Sequence, residues 1–209
     1  MSGGVTEAVR ALLPRHLDVL ELQGGGVPRW FVPLGGPRAR YNGLALYPAV
    51  RWRSGAYRAA LRAWLLAGGG RHARALGRVI PRDGCGWPLG DLLLPEMPTL
   101  AMAAAYVGTP GPEQKTTLQL MDGDGRVLGF AKYAASPRTR ALIANEARML
   151  RALPENTGPD LVRFTPFLEG DLMVQTPLPG RIRAPRLRPG EAQMQISSTP
   201  ATMAGTADM

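Results

Sequence analysis

The apolar positions after residue 99 fall into short runs separated by turn residues. Asp122-Gly123-Asp124-Gly125 marks a hairpin turn, and Ser136-Pro137 supplies an N-cap and a first-turn proline for a helix that runs to about residue 153. Strands are predicted at residues 100–107, 116–121, 127–134, 161–168 and 172–176. This order of elements predicts an α+β fold in which a five-stranded antiparallel sheet carries one packed helix.

The N-terminal half has longer apolar periods. Residues 5–21 have helical spacing despite Pro14, residues 55–67 form the clearest helix, and a second helix is predicted at 71–80. Residues 28–50 hold only short apolar pieces between Gly and Pro, which suit short strands or extended segments. The pattern therefore predicts a mostly helical N-terminal region.

These patterns divide the chain into three parts. A mixed, mostly helical region is expected at residues 1–97 and the sheet with its helix at 98–180. Residues 181–209 are basic at first and then lose all periodicity, so we expect that tail to be disordered.

The charge is unevenly distributed over these parts. The net charge is +9, and residues 1–100 contribute 13 arginines against 6 acidic residues, whereas residues 101–180 carry 8 basic and 8 acidic residues. A basic chain suits nucleic acid, but no basic run is flanked by aromatic residues, so a solvated, arginine-rich surface is the favoured interpretation and nucleic acid is not the expected partner.

Other compositional features narrow the class of protein. No apolar run approaches the roughly 18 residues of a membrane helix, and the N-terminus lacks the pattern of a signal peptide, so we expect a cytoplasmic protein without a membrane partner. The one cysteine, Cys85, cannot form an internal disulfide. His16 and His72 have no recognisable catalytic partner in the sequence.

Lysine is rare in this chain. Of the 25 basic residues only Lys115 and Lys132 are lysines. An ammonium group is a compact point charge, whereas guanidinium is a wide planar fork, so a site built for the smaller group would reject arginine. Chance retention is the alternative explanation.

Lys132 and Glu146 are predicted to form an ion pair. Lys132 lies near the end of the third strand, where alternation places it on one face with Leu128 and Phe130. Glu146 falls in an apolar helical stripe that contains Leu142, Met149, Leu150 and Leu153. Buried charges need a partner, which favours the pair over a lysine that extends to water and a glutamate that contacts arginines on its helix.

The loop between the first two strands is rich in Gly and Pro. It begins at Gly108 and contains Pro110 and Pro112, which have no N–H to donate. The remaining backbone donors and the nearby positive charge come from Thr109, Gly111, Glu113, Gln114 and Lys115. A plain tight hairpin explains the same residues equally well.

The order of elements, together with these residues, resembles the small lobe of the protein-kinase-like fold, in particular the aminoglycoside and choline phosphotransferase group. The resemblance implies that the loop covers ATP phosphates, that Lys132 contacts phosphate oxygens and pairs with Glu146, and that the linker near Leu178 binds adenine. ATP and Mg²⁺ are implied as ligands by this resemblance alone.

Catalysis in such a fold also needs a catalytic-loop Asp, an Asn and a metal-binding Asp from the large lobe. After Gly180 the chain contains one Asp, Asp208, and no Asn or His. We therefore expect a phosphotransferase that is incomplete and inactive alone. The alternatives are a non-catalytic module that binds a nucleotide or a protein supplying the missing lobe, and an arginine-rich nucleic-acid-binding protein.

Overall fold

The structure is a computed structural model that describes residues 3–46, 52–68, 73–154 and 158–177. Leu178 and the predicted tail 181–209 lie outside the described residues. In the described part, no helix combines the length and the hydrophobicity that crossing a membrane requires.

Helices and strands are interspersed along the chain. The helices are α1 (Gly3–Leu12), α2 (Pro37–Gly43), α3 (Trp52–Gly68), α4 (Ala73–Leu76), α5 (Pro88–Leu93) and α6 (Pro137–Ala152), with one 3-10 turn at Leu44–Leu46. The strands are β1 (Val19–Gly24), β2 (Val27–Pro33), β3 (Arg78–Ile80), β4 (Leu100–Val107), β5 (Thr116–Asp122), β6 (Val127–Ala134), β7 (Leu161–Phe167) and β8 (Gly170–Gln175).

All eight strands belong to one antiparallel sheet, in the order β3-β1-β2-β4-β5-β6-β8-β7. An α+β fold with an antiparallel sheet is thus confirmed, but the expected number of five strands is wrong. Strands β4–β8 come from the predicted sheet region, and the other three come from the N-terminal region.

The N-terminal region contains helices α1–α5 together with the three strands β1, β2 and β3, and two of the predicted helices are shorter than expected. The helical spacing predicted at 5–21 ends at Leu12, and Val19 begins a strand instead. Pro14 explains the break, because it removes a helical hydrogen bond and clashes with the preceding turn. The helix predicted at 71–80 likewise gives way at Gly77 to β3.

The two faces of the sheet are covered by different helices. On one face, α1 and α5 pack Leu12, Leu13 and Leu89 onto the strands, in a cluster that includes Leu118 and Ala131. On the other face, α3 covers β1 and β2 while α6 covers β6 and β8. The sheet is thus an inner layer between helices.

Helix α6 is capped as the sequence predicts. The Ser136 side chain accepts a hydrogen bond from the Thr139 backbone N–H at 3.2 Å, and Pro137 occupies the first turn. Thr139, Ile143 and Ala147 form its buried side, where they pack toward β6 and β8. This packing sets the distance between α6 and β6.

The turn between β5 and β6 is held against α2. The Asn42 side-chain amide donates to the Gly125 carbonyl at 2.8 Å, and the buried Gln119 amide donates to the Asn42 carbonyl at 3.1 Å. Gly125 has φ +78°, and a Cβ there would lie 2.4 Å from the backbone nitrogen of Ala39. Only glycine fits this close approach.

Replacing Gly125 by Ala should therefore destabilise the protein by about 3 kcal/mol, because backbone strain and overlap with α2 add together. Urea unfolding measures the change as a lower midpoint with an unchanged slope. Gly123→Ala, in the same turn, is the matched control: a Cβ there meets nothing within 4 Å, and stability should change by less than about 0.5 kcal/mol. Equal midpoints for the two variants would contradict this packing.

Candidate functional site

Lys132 and Glu146 are joined by the predicted ion pair. The Lys132 Nζ donates a hydrogen bond to Glu146 Oε1 between β6 and α6. The side chains keep 19% and 34% of their exposure, so the pair is neither sealed in the core nor fully solvated. A carboxylate thus holds an ammonium group at a fixed place on the sheet while water or a ligand can still reach it.

Lys132 is flanked across the strands by two residues that the sequence analysis did not single out. Thr117 on β5 and Met173 on β8 are its direct partners in register. Directly opposite residues in an antiparallel sheet share a face. The surface around the ammonium group therefore combines a hydroxyl on one side with a buried thioether on the other.

The prediction that Lys132 shares its face with Leu128 is wrong. The register shifts opposite Leu120 and Met121, so Leu128 has no direct partner on β5. Its side chain packs with the buried cluster of the other face, which includes Ala131. A β-bulge of this kind adds one residue and interrupts the alternation of side chains.

The predicted inward stripe of α6 is also largely wrong. Leu142, Met149 and Leu153 are exposed, and only Leu150 is partly buried against the core. Glu146 lies at the border between the exposed stripe and the buried side of the helix. The pair forms because Lys132 reaches outward to that border, and Glu146 does not occupy the core.

The loop between β4 and β5 is closed by its own hydrogen bonds. The Gly108 N–H donates to the Lys115 carbonyl at 2.9 Å. The Gln114 backbone N–H donates to the Gly111 carbonyl, and its side-chain amide donates to the Gly108 carbonyl. The backbone N–H and the side-chain amide of Gln114 thus both bond within the loop. Within the described residues, the backbone N–H groups of Thr109, Gly111 and Glu113 donate no hydrogen bond.

This loop is also fastened to the start of α6. Ser136 Oγ donates to the Pro112 carbonyl at 3.2 Å, and Arg138 forms an exposed ion pair with Glu113 at 2.5 Å. The loop therefore lies at the end of β6 where Lys132 and the helix N-terminus are found. The resemblance described above implies that this loop covers ATP phosphates, but the sequence did not identify Ser136 or Arg138 as the residues that hold it.

Lys115 is half-buried where the loop meets β5. Continuing the alternation from Thr117 places it on the same face as Lys132. If the alternation continues into the loop, both lysines lie near one loop on the same face of the sheet. Leu178, the predicted adenine contact, lies outside the described residues.

No group of three or more His, Cys, Asp or Glu that could hold a metal occurs in the described part of the chain. The polar groups that the sheet and the 108–115 loop present around Lys132 are mainly hydrogen-bond donors, namely lysine ammonium and backbone N–H groups. Cys85 and His16 are exposed, and His72 lies outside the described residues.

No family model, no curated protein and no solved structure matches this chain.

The partial burial of Lys132 and Glu146 predicts the strength of their pair. In a double-mutant cycle with Lys132→Met and Glu146→Gln, we expect a coupling free energy of about 1 kcal/mol, measured by urea unfolding. This is below the roughly 3–5 kcal/mol expected for breaking a fully buried pair, because Glu146 keeps a third of its exposure.

The exposed pair Arg138–Glu113 is the matched control, with side chains that keep 66% and 57% of their exposure. The same cycle there should give a coupling of a few tenths of a kcal/mol, about the value of a solvated pair. A Lys132–Glu146 coupling no larger than this control would show that the pair contributes nothing specific to the sheet–helix contact.

Proposed function

We propose that residues 100–177 bind the phosphates of a nucleotide, with ATP as the expected ligand, as the small lobe of a kinase-like phosphotransferase. The observation that carries the proposal is the ion pair between Lys132 and Glu146 across the sheet and α6. In that fold a strand lysine contacts phosphate oxygens and is held by a helix glutamate.

The exposure of the pair supports this assignment. The ammonium group has three N–H donors, and Lys132 keeps a fifth of its side-chain surface, so a ligand can reach the donors that Glu146 does not use. Glu146 accepts one hydrogen bond from the ammonium group and thereby orients it. A phosphate oxygen is the ligand that would take the others.

The loop supplies further donors at the same end of β6. The backbone N–H groups of Thr109, Gly111 and Glu113 and the ammonium group of Lys115 are available to a second phosphate oxygen. A loop rich in backbone donors binds anions well. Since the loop is anchored on α6 through Ser136, phosphate binding would need little rearrangement of that anchor.

Phosphoryl transfer itself requires groups that we assign to a second lobe. The catalytic Asp, the Asn and the metal-binding Asp have no counterparts among the residues that follow Gly180 in this sequence. Mg²⁺ would accompany the nucleotide and supply charge neutralisation when the site is complete. The exposed stripe of Leu142, Met149 and Leu153 beside Glu146 is the surface that we assign to contact with that lobe.

Nucleotide binding is expected to be weak and to depend on Lys132. Titration with ATP, followed by amide NMR, should shift the signals of β6 and of the 108–115 loop with a dissociation constant of about 1 mM or higher, because half a cleft buries little of the ligand. Lys132→Ala should abolish the shifts. Arg151→Ala removes an equal charge from an exposed place on α6 and should leave them unchanged. Identical titrations of the two variants would refute the assigned site.

The 209-residue chain should not turn over ATP by itself. Without a positioned metal and base the reaction lacks the electrostatic stabilisation that provides most of its rate enhancement. A phosphoryl-transfer assay with the purified chain, ATP and Mg²⁺ should show no activity above a no-protein control. Turnover that is lost in Lys132→Ala would mean that catalytic groups reside in this chain after all.

A further inference from the structure

The N-terminal half contains a long segment without acidic residues. Residues 22–82 include 11 of the chain's arginines and no Asp or Glu. From the sequence alone, a solvated basic surface accounts for this charge. In the structure, α2 and α3 both lie in this segment and pack against each other, which brings some of its arginines together.

A groove of about 320 Å³ lies between Tyr41 of α2 and one side of α3. Arg58, Arg62 and Leu66 line the α3 side, with Ala59 and Ala63 between them. The small alanines keep the groove open, and none of its lining residues is acidic. Two guanidinium groups and one phenol ring are thus brought together in a recess.

Arg62 is held in a defined position in this groove. Its Nε donates to the Tyr41 carbonyl at 3.2 Å, and its guanidinium carbon lies 4.1 Å from the centre of the Tyr41 ring. Burial lowers the pKa of Arg62, the neighbouring Tyr41 acts in the opposite direction, and Arg58 lowers it further. An anion placed between the two arginines would relieve both burial and repulsion.

We propose that this groove binds single-stranded nucleic acid, with Arg58 and Arg62 on phosphate oxygens and the Tyr41 ring stacked against a base. Guanidinium forks match phosphate geometry and stack on planar rings, which lysine cannot do. Tyr41 keeps 44% of its exposure, so part of its ring is open to a ligand. Aromatic rings beside a basic groove are the usual platform for single strands.

The recess favours a strand over an anionic membrane, which is the other polyanion that such a charge would suit. Arg58 and Arg62 are half-buried, and the guanidinium group of Arg62 is positioned by its hydrogen bond to the Tyr41 carbonyl. A flat bilayer surface contacts protruding side chains, whereas a flexible strand can enter a groove between two helices. The groove is lined by residues of α2 and α3 and shares none of them with the Lys132–Glu146 pair on β6 and α6. This inference therefore does not depend on nucleotide binding at Lys132.

The test is fluorescence anisotropy with a labelled oligouridylate of about 16 nucleotides, which spans one typical single-strand site. Arg58→Gln/Arg62→Gln should weaken binding at least about tenfold and lower the slope of log K against log[salt] by about 1.4, since each single-strand phosphate contact contributes about 0.7. Tyr41→Ala should weaken binding about tenfold and leave the slope unchanged, because stacking involves no counterion release.

Arg148→Gln/Arg151→Gln is the matched control, since it removes the same charge from exposed positions on α6. It should bind the oligonucleotide as the unmodified protein does. Three outcomes would overturn the proposal: equal losses in both double variants, wild-type binding by Arg58→Gln/Arg62→Gln, or arginine-dependent binding to phosphatidylserine vesicles with none to the oligonucleotide.

Discussion

The burial of β4 on both faces and both edges is the constraint on which the rest of the structure depends. The strand pairs with β2 on one edge and with β5 on the other, and Ala103, Ala104 and Ala105 are fully buried in its centre. Helices cover both faces of β4, so its central positions accommodate the methyl side chain of alanine but not a larger side chain. A larger residue here would push a helix away from the sheet at a cost of about 1–3 kcal/mol.

This constraint places the candidate site. β4 pairs with β5, so the β5–β6 hairpin is attached to the N-terminal strands through β4. The turn of the hairpin is also bonded to α2, where the Asn42 amide donates to the Gly125 carbonyl. The other end of β6 carries Lys132, the loop and the start of α6. The N-terminal region thus stiffens the frame that presents the ammonium group, while α6 provides the carboxylate that orients it.

The sequence predicts local elements here better than their assembly. The strands after residue 99 and the helix cap at Ser136 follow from alternation and capping chemistry. Lys132 and Glu146 do pair as predicted, although the inward helix stripe from which the pair was predicted is exposed. The short apolar run of β2 was predicted as a short strand or extended segment, whereas β1 and β3 were missed because the ends of two predicted helices, at 5–21 and 71–80, overlap them. β2 joins the rest of the sheet through β4, which is distant in sequence, and single-strand patterns do not reveal such pairing.

The misplaced side chains have similarly physical causes. Leu128 changes face because a bulge adds one residue to the hairpin, which the turn residues do not indicate. Leu142, Met149 and Leu153 satisfy helical periodicity yet remain exposed, because α6 buries the narrower side of Ile143 and Ala147 against β6 and β8. Periodicity identifies an apolar stripe but not which stripe the sheet will cover.

Labelling with an ATP acyl phosphate tests the central claim most directly, since the chain has only two lysines. In this reagent an acyl group on the terminal phosphate is transferred to a lysine amine nearby, and the phosphate leaves. Peptide mass spectrometry should find Lys132 acylated, with labelling suppressed by excess ATP. Equal labelling of Lys132 by a simple acyl phosphate without a nucleotide, or labelling that ATP does not suppress, would contradict nucleotide binding at this face.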